Sequence, residues 1–396
     1  MKGTWNIINK LTKKSSTPGN DFDSMLTENT SKLDIANGFN NFFTKIGPNL
    51  AKNIDTVPGK FNEYLKTPNQ SSMLLRPVLE KELEETIKSC QSKYSLDCHG
   101  ISMNIVKQAS SHIIAPLLNI CNQSFQQGIF PDMMKTAKVI PIFKSGDKSS
   151  FNNYRPISLL PQFSKILEKL FTSRLDSFLD KFDVLYPGQY GFQTKRSTAS
   201  AVLELVEEVT NNLDERKVSA GIFIDLKKAF DTVNHEILTG KLEHYGLRGL
   251  AHSWIKSYLE NRTQTVTIDN VSSGELTVEC GVPQGSVLGP KLFLLYINDI
   301  TEVSDLLKFI LFADDTTILC SHSDINSLIL TLNHELQKIY DWFAANKLSL
   351  NISKTNYMIF NGAPGYDTTP PLTINGSAIE RVKVSKFLGL HVDDKL

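Results

Sequence analysis

Residues 308–321, KFILFADDTTILCS, place two adjacent aspartates between two runs of apolar residues. Apolar runs of this kind predict strands, and a short polar break between two of them predicts a hairpin. Asp314 and Asp315 would then lie at the hairpin tip. Neighbouring carboxylates repel each other, so they need either the water around an exposed turn or a bound cation. A solvated turn is the commoner arrangement for such a pair, and the hairpin alone does not decide between the two.

A third aspartate follows another apolar run. Residues 219–226, SAGIFIDL, predict a buried strand that carries Asp225 at its end. A carboxylate at such a position commonly caps a helix or faces water. If the strands that lead to Asp225 and Asp314 are neighbours in one sheet, both carboxylates emerge at the same edge and can share divalent cations. Spacing alone leaves the metal site and the solvated carboxylates equally open.

The order of elements around these strands predicts an α+β fold. From residue 219 to 361 the pattern is strand, helix, hairpin, helix, hairpin, helix, strand. The pattern includes a hairpin at 263–281, a helix beginning near Pro290 and a long helix over 324–346. This order fits a split βαβ sheet with helices on one face. A further helix is predicted just upstream, over 200–214.

Composition excludes several classes of protein. The 42 basic and 42 acidic residues cancel, so the net charge gives no hint of a nucleic-acid partner, although a local basic patch stays possible. The five cysteines form no CxxC pair and are odd in number, which favours free thiols over disulfides or a zinc site. No apolar run of about 18 residues occurs, so we expect an intracellular protein, nuclear or cytoplasmic, without a membrane segment.

Seven segments of the chain, in order, resemble the motifs of one polymerase family. They are AKVIPIFKSGDKSSFNNYRPISLL (137–160), QYGFQTKRSTASAVLEL (189–205), FIDLKKAFDTVNHEIL (223–238), GVPQGSVLGPKLFLLYINDI (281–300), FADD (312–315), NKLSLNISKTNYMIF (346–360) and FLGLHVDDKL (387–396). FADD is similar to the aromatic-x-Asp-Asp box of reverse transcriptases, and the other segments resemble their finger, palm and primer-grip motifs. The chain thus resembles reverse transcriptases of non-LTR retrotransposons, of the LINE-type, jockey-like group.

This resemblance implies an RNA-directed DNA polymerase. Such an enzyme extends a DNA 3′-hydroxyl on an RNA template, and it takes deoxynucleoside triphosphates as substrates. Nucleotidyl transfer in the family uses two Mg²⁺ ions, for which Mn²⁺ can substitute. The expected partners are therefore an RNA template and a DNA primer, with no membrane.

The resemblance also implies the catalytic residues. Asp225, Asp314 and Asp315 match the catalytic aspartates of the family. Asp225 and Asp314 would be the main metal ligands, while Asp315 would support the site. Phe230, five residues after Asp225, matches the position whose aromatic ring rejects a ribose 2′-hydroxyl. Without the motif, Phe230 would be read as a core residue of a helix.

Five further residues match substrate-binding positions. Lys144 and Arg155 match finger residues that grip the incoming triphosphate, a role suited to a compact charge and to a planar fork of donors. Gln284 matches a residue near the nucleotide sugar, and Gly285 would allow the backbone to approach the template and primer closely. Lys354 matches a candidate proton donor to the pyrophosphate leaving group.

The resemblance implies a right-hand polymerase fold with fingers and palm. We expect a polar N-terminal helical and linker segment at 1–75 and a helical extension of the fingers at 76–123. The reverse transcriptase domain would cover 124–396, with the fingers at about 124–218 and the palm at about 219–396. The chain ends just past the primer-grip motif, so we expect both the thumb and the endonuclease to be missing.

Two alternatives remain to be weighed against this assignment. The chain could be a retrotransposon relic that binds nucleic acid with weak or no catalysis. The presence of all three aspartates, Phe230, Arg155 and the PQG sequence argues against long neutral decay. A template-dependent RNA polymerase with a similar palm is the other alternative, and the bulky Phe230 argues against it.

Overall fold

The computed structural model describes residues 30–360 and 369–396, together with Phe22 and Met25. The α-helices are α1 (Lys32–Lys52), α2 (Glu80–Ser89), α3 (Met103–Gln108), α4 (Ser110–Gln127), α5 (Gln162–Lys181), α6 (Thr198–Asp214), α7 (His235–His244), α8 (Leu250–Leu259), α9 (Gly289–Ile297) and α10 (Ile325–Ala345). The strands are β1 (Thr136–Phe143), β2 (Tyr154–Leu159), β3 (Val218–Ile224), β4 (Thr263–Ile268), β5 (Val271–Ser272), β6 (Leu276–Thr277), β7 (Lys308–Phe312), β8 (Asp315–His322), β9 (Asn356–Phe360), β10 (Thr373–Ile374), β11 (Ser377–Ala378), β12 (Glu380–Arg381), β13 (Val384–Phe387) and β14 (Leu390–Asp393).

Most of the predicted elements are present. The helices predicted at 200–214 and 324–346 are α6 and α10, and the hairpin predicted around the two aspartates is β7–β8. The strand predicted at 219–226 is β3, which ends at Ile224. Most of the first 29 residues of the predicted N-terminal segment lie outside the described residues. None of the helices in the described ranges has the length and apolar composition needed to traverse a bilayer.

One mixed sheet, ordered β12-β9-β3-β8-β7, lies at the centre of the molecule. β3 is its middle strand and pairs antiparallel with β8 along its whole length, from Val218 opposite His322 to Ile224 opposite Thr316. Its other neighbour is β9, also antiparallel. Since alternate residues of a strand point to opposite faces, β3 has two faces to bury. Nearly every residue of β3 is buried, so both faces are covered.

Helices cover both faces of this sheet. On one face, Ile222 belongs to the main core with residues of α9 and α10, such as Phe293 and Trp342. On the other face, Phe223 packs in a separate cluster that contains Leu205 and Val209 of α6. The prediction that helices lie on one face only is therefore wrong for α6. The physical reason is that a strand as apolar as β3 cannot leave either face in water.

A second sheet is built on the hairpin β1–β2, in the order β2-β1-β4-β5, with β6 also paired to β4. The hairpin predicted at 263–281 is present as β4–β5, and its two-residue turn, Asp269 and Asn270, has the positive φ angles of a type I′ turn. β4 pairs in parallel with β1, starting from Thr136 opposite Thr263. The sheet of the predicted fingers thus includes a hairpin that falls within the residue range of the predicted palm. α1 packs on this sheet through Phe39, which contacts Tyr154 edge-to-face.

A buried ion pair joins the helices beneath the central sheet. The Lys241 ammonium of α7 contacts the Asp299 carboxylate and donates to the carbonyl oxygen of Tyr296 at 2.7 Å. The indole N–H of Trp342 in α10 donates to the second Asp299 oxygen at 3.0 Å. Lys241 and Asp299 are almost fully buried, and burial lowers the pKa of Lys241. Each charge therefore depends on the other, because neither has water around it.

Replacing Lys241 by methionine tests this dependence. We expect the free energy of unfolding to fall by about 3–5 kcal/mol, because Asp299 would remain buried without a countercharge. The measurement is the urea midpoint at neutral pH. The matched control is Lys66→Met, which removes an exposed lysine that contacts Glu302 at 3.0 Å and should cost less than about 1 kcal/mol. Equal losses in the two variants would contradict this account of the core.

Candidate active site

The pairing of β3 with β8 brings the three aspartates to one edge of the central sheet. Ile224, the last residue of β3, lies opposite Thr316. Asp225 follows Ile224 directly, and Asp315 directly precedes Thr316. β8, which begins just after Asp314, is the neighbour of β3, whereas β7, the strand that leads to Asp314, lies one strand further out. The condition set by the sequence, that both carboxylates emerge at one edge of the sheet, is therefore met through β8. The catalytic roles of the aspartates stay predictions at this point.

The turn between β7 and β8 is tight. Phe312 pairs with Asp315, so Ala313 and Asp314 form a two-residue loop. This confirms that the aspartates lie at the hairpin tip, with Asp314 in the loop and Asp315 at the start of β8. Ala313 has a φ of +57°, whereas glycine is the usual residue at a two-residue turn position with positive φ.

An open cavity of about 470 Å³ lies in front of this edge, between the central sheet and the β1–β2 hairpin. It is lined by seven of the residues predicted from the sequence, namely Lys144, Arg155, Asp225, Phe230, Gln284, Asp314 and Lys354. Two predicted residues are not part of this lining. Asp315 lines a neighbouring cavity with Phe387 and Gly389 of the β13–β14 hairpin, and Gly285 lies against Ser158 of β2.

The carboxylates in the cavity repel each other in the absence of a cation. Loss of surrounding water raises the pKa of Asp314, and the nearby Asp225 raises it further. The positive charges of Arg155 and Lys144 across the cavity lower it in part. For Asp315, loss of water together with Asp314 and Asp225 raises the pKa to about 6. The site thus concentrates negative charge at one wall and positive charge at the opposite wall.

Asn351 fixes the orientation of Asp225, and the sequence analysis did not single it out. Its side-chain amide donates to Asp225 Oδ2 at 2.7 Å, and its backbone N–H donates to the Asp225 carbonyl oxygen at 2.9 Å. The hydroxyl of Thr355 accepts from the backbone N–H of Asp225 at 3.3 Å. Asn351 lies within the quoted segment 346–360, but an uncharged amide in a polar loop carries no signal of its own in a single sequence.

Lys228 is a second cavity residue that sequence reasoning missed. Its ammonium donates to the backbone carbonyl oxygens of Asn152 and Tyr154, both at 3.3 Å. Partial burial lowers the pKa of Lys228, and the positive charges of Lys144 and Arg155 lower it further. Lys228 therefore links the loop after β3 to the β1–β2 hairpin and is one of the four cations that line the cavity.

The loop at 281–288 is held from both sides. Gln284 Nε2 donates to Asp231 Oδ1 at 2.8 Å, and burial raises the pKa of Asp231 to about 6. The Gln284 carbonyl oxygen accepts from the backbone N–H of Ser158 in β2 at 2.8 Å. Gly285 has a φ of +116°, and a Cβ there would lie 2.8 Å from the Ser158 carbonyl oxygen. Glycine is therefore required where this loop crosses β2.

A fully buried carboxylate anchors the end of the same loop. Glu168 Oε2 in α5 accepts from the backbone N–H groups of Val287 and Leu288, at 2.8 and 3.1 Å, just before α9 begins. The hydroxyl of Ser164 donates to its other oxygen at 2.8 Å. A carboxylate next to the first turn of a helix is also favoured by the helix dipole. Helix α5 thus fixes the loop that presents Gln284.

Phe230 is held by stacking rather than inside a helix core. Its ring stacks on Phe293 of α9, with the ring centres 4.7 Å apart and the planes 27° from parallel. Phe192 approaches it edge-on, with the centres 6.4 Å apart. Phe230 also lines the cavity that contains Asp225. An aromatic ring fixed on both sides next to a carboxylate can set the shape of a bound ligand.

The donor set fits a site that shares its metal ions with a substrate. In residues 30–360 and 369–396, no group of three or more His, Cys, Asp or Glu side chains has the geometry of a complete metal site. Asp225 and Asp314 line the cavity and supply carboxylate oxygens there. Mg²⁺ is commonly held by one or two carboxylates, with water and phosphate oxygens completing its shell.

Comparison with known proteins agrees with this arrangement. The family model described as reverse transcriptase (RNA-dependent DNA polymerase) matches residues 144–392, more than half of the chain. The chain is 31% identical to a probable RNA-directed DNA polymerase from transposon BS and 30% identical to that of the mobile element jockey, both from Drosophila melanogaster. Each match covers 84% of this chain, but only 38% and 37% of the relative.

A more distant relative extends the comparison beyond Drosophila. The chain is 24% identical to the Pol polyprotein of the type-1 retrotransposable element R2 from Popillia japonica, over 79% of this chain and 45% of that protein. The chain therefore spans less than half the length of these relatives. The resemblance to jockey-like polymerases of non-LTR retrotransposons is confirmed, and the chain belongs to the reverse transcriptase family.

Proposed function

We propose that this chain is an RNA-directed DNA polymerase domain that adds deoxynucleotides to a DNA 3′-hydroxyl on an RNA template, using two Mg²⁺ ions. The observation that carries the proposal is the cavity at the edge of the central sheet. Asp225 at the end of β3 and Asp314 in the β7–β8 turn line it together with the cations Lys144, Arg155, Lys228 and Lys354. A nucleoside triphosphate with its metal ions needs carboxylates to hold the metal ions and cations to bind the phosphates.

The cationic wall would bind the triphosphate. Lys144 follows the last residue of β1 and Arg155 is the second residue of β2, so the β1–β2 hairpin presents both charges on one short support. Arg155 can contact two phosphate oxygens at once, while Lys144 supplies a point charge. The positive charges of both residues also lower the pKa of Asp314, which lines the same cavity.

The carboxylate wall would hold the metal ions. Asp225 and Asp314 are the proposed ligands, and Asn351 holds Asp225 by one oxygen so that the other remains available. Bound Mg²⁺ would supply activation of the attacking 3′-hydroxyl and stabilisation of the leaving oxygen. Asp315, in the neighbouring cavity, would support the position of Asp314. The raised pKa values of Asp314 and Asp315 support the proposal, because a bound cation would offset both the loss of water that is their main cause and the repulsion between the carboxylates.

Two more residues would determine substrate choice and proton transfer. The ring of Phe230, fixed by Phe293, would exclude a 2′-hydroxyl by its bulk and so select deoxynucleotides. Lys354 lines the same cavity, three residues after Asn351, and would donate a proton to the departing pyrophosphate. Gln284 would approach the sugar while its amide remains bonded to Asp231.

Replacing Asp314 by asparagine should reduce primer extension to background. The change keeps the shape of the turn but removes the charge that would hold a metal ion. The measurement is incorporation of deoxynucleotides on a DNA primer annealed to RNA, with Mg²⁺ or Mn²⁺. The matched control is Asp305→Asn, which changes a highly exposed aspartate away from the cavity and should leave incorporation intact.

The same assay separates the proposal from a binding-only relic. The relic would be favoured if the wild type and Asp314→Asn bind the template and primer equally and neither protein incorporates nucleotides. Equal incorporation by the two proteins would show that the site has been assigned to the wrong residues. Chelation of divalent cations by EDTA should stop wild-type incorporation without unfolding the chain.

Replacing Phe230 by alanine should relax sugar selection. We expect the ratio of kcat/KM for deoxynucleotides to that for ribonucleotides to fall by roughly 10- to 100-fold, since steric selection by an apolar side chain is worth about 1–3 kcal/mol. The matched control is Phe230→Tyr, which keeps the ring and should keep the selection. An unchanged ratio in Phe230→Ala would argue against a role in sugar selection and would reopen the RNA polymerase alternative.

A further inference from the structure

The segment Gly188–Gln193 runs beside the edge strand β7 and reaches the turn that carries Asp314. Its backbone forms two hydrogen bonds with Leu311, in which the Leu311 N–H donates to the Gly188 carbonyl oxygen at 2.9 Å and the Tyr190 N–H donates to the Leu311 carbonyl oxygen at 2.7 Å. A single parallel bridge joins Gln189 to Leu311. The catalytic hairpin therefore has a neighbour on its outer edge that is not part of the sheet itself.

Gln189 contacts the catalytic turn directly. Its side chain is 1% exposed, and Oε1 accepts from the backbone N–H of Ala313 at 3.1 Å and from that of Gly191 at 2.9 Å. The Ala313 N–H is the last backbone donor before Asp314. One side-chain oxygen thus connects the turn of the catalytic hairpin to the adjoining segment.

The nitrogen of the Gln189 side-chain amide differs from the oxygen. Among the described residues, Nε2 of Gln189 is buried and has no hydrogen-bond partner. An unpaired buried donor costs about 1–3 kcal/mol, so a residue serving only to fill space would be better replaced by an apolar one of the same length. The free-energy cost of the unpaired nitrogen is explained if the side-chain oxygen of Gln189 is needed to bond the β7–β8 turn.

Ala313 is the residue that needs to be held. Its φ of +57° is disfavoured for every residue with a Cβ, and two-residue hairpin turns normally place glycine there. Gly191 shows how closely the segment lies against it, because a Cβ at Gly191 would be 2.4 Å from the Ala313 nitrogen. The contact is therefore tight, and the conformation of Ala313 depends on external support.

We propose that Gln189 is a positioning residue for catalysis, which holds Ala313 in its strained conformation and thereby holds Asp314 at the edge of the cavity. This inference rests on the proposed polymerase function of the same site. Loss of the Gln189 oxygen would free the Ala313 N–H, and Ala313 would relax toward negative φ. Asp314, the next residue, would then spend less time in the position needed to bind a metal ion.

The test is a double-mutant cycle in the full chain. Gln189→Met keeps the length of the side chain and removes both acceptor contacts, so we expect kcat for primer extension to fall about tenfold, the effect of one to two hydrogen bonds. Ala313→Gly adopts a positive φ without strain. Added to Gln189→Met, it should restore kcat several-fold, whereas alone it should lower kcat slightly by loosening the turn.

A matched control and a second measurement complete the test. Gln193→Met makes the same change in the same segment and should keep kcat within about twofold, because the side chain of Gln193 donates to the Gln189 carbonyl oxygen and has no bond to the β7–β8 turn among the described residues. Amide hydrogen exchange of residues 309–318 reports on the turn without any activity. Gln189→Met should raise exchange at Ala313 about tenfold, because an amide that has lost its acceptor is exposed to water.

The outcomes separate this inference from the proposed function. If Ala313→Gly lowers kcat by the same factor with and without Gln189→Met, or if Gln189→Met changes neither kcat nor exchange, the positioning role is wrong. If the wild-type chain does not extend a primer, the proposed function fails, while exchange at Ala313 still decides whether Gln189 holds the turn.

Discussion

The pairing of β3 with β8 is the constraint on which the rest of the site depends. Its register places Ile224 opposite Thr316, and Asp225 and Asp315 then follow and precede these residues at the same edge. A shift by one residue would exchange the faces of β3 and turn Ile222 from the main core toward α6. Because both faces of β3 are packed, such a shift would cost apolar burial on each side. The hydrophobic pattern that makes the strand thus also determines where the carboxylates meet.

The charges of the site come from two separate sheets. The central sheet supplies Asp225 and Asp314, and the β1–β2 hairpin of the second sheet supplies Lys144 and Arg155. Each wall is therefore built on its own rigid support, and the cavity is the gap between them. Lys228 crosses this gap to the carbonyl oxygens of Asn152 and Tyr154 and links the two supports. Like charges on one wall repel each other, so a ligand that carries both signs, such as the proposed metal-bound triphosphate, would stabilise the arrangement.

Local features of the sequence predicted local features of the fold. The alternation and the turn chemistry were sufficient for β3, for the β7–β8 hairpin and for α6 and α10, because each depends on a few neighbouring residues. Two features that depend on distant partners were not anticipated. They are the packing of α6 on the second face of β3 and the pairing of β4 with β1. The patterns within residues 198–214 and 263–268 do not specify which other element packs or pairs with them. These contacts between distant parts of the chain therefore could not be predicted from the single sequence.

Three of the residues that hold the site in place are uncharged amides, and their lack of charge explains how they are used. Asn351 bonds to Asp225, Gln284 bonds to Asp231, and Gln189 accepts from the turn before Asp314. A carboxylate in place of Asn351 would add to the repulsion at the site, and a lysine there would compete with a metal ion for Asp225. An amide can donate or accept a hydrogen bond without adding charge. It can therefore hold a carboxylate in place while the net charge that a ligand meets at the site stays the same. The same neutrality leaves Asn351 and Gln189 without a pattern along the chain, which is why their contacts are found only when the fold brings them beside Asp225 and the β7–β8 turn.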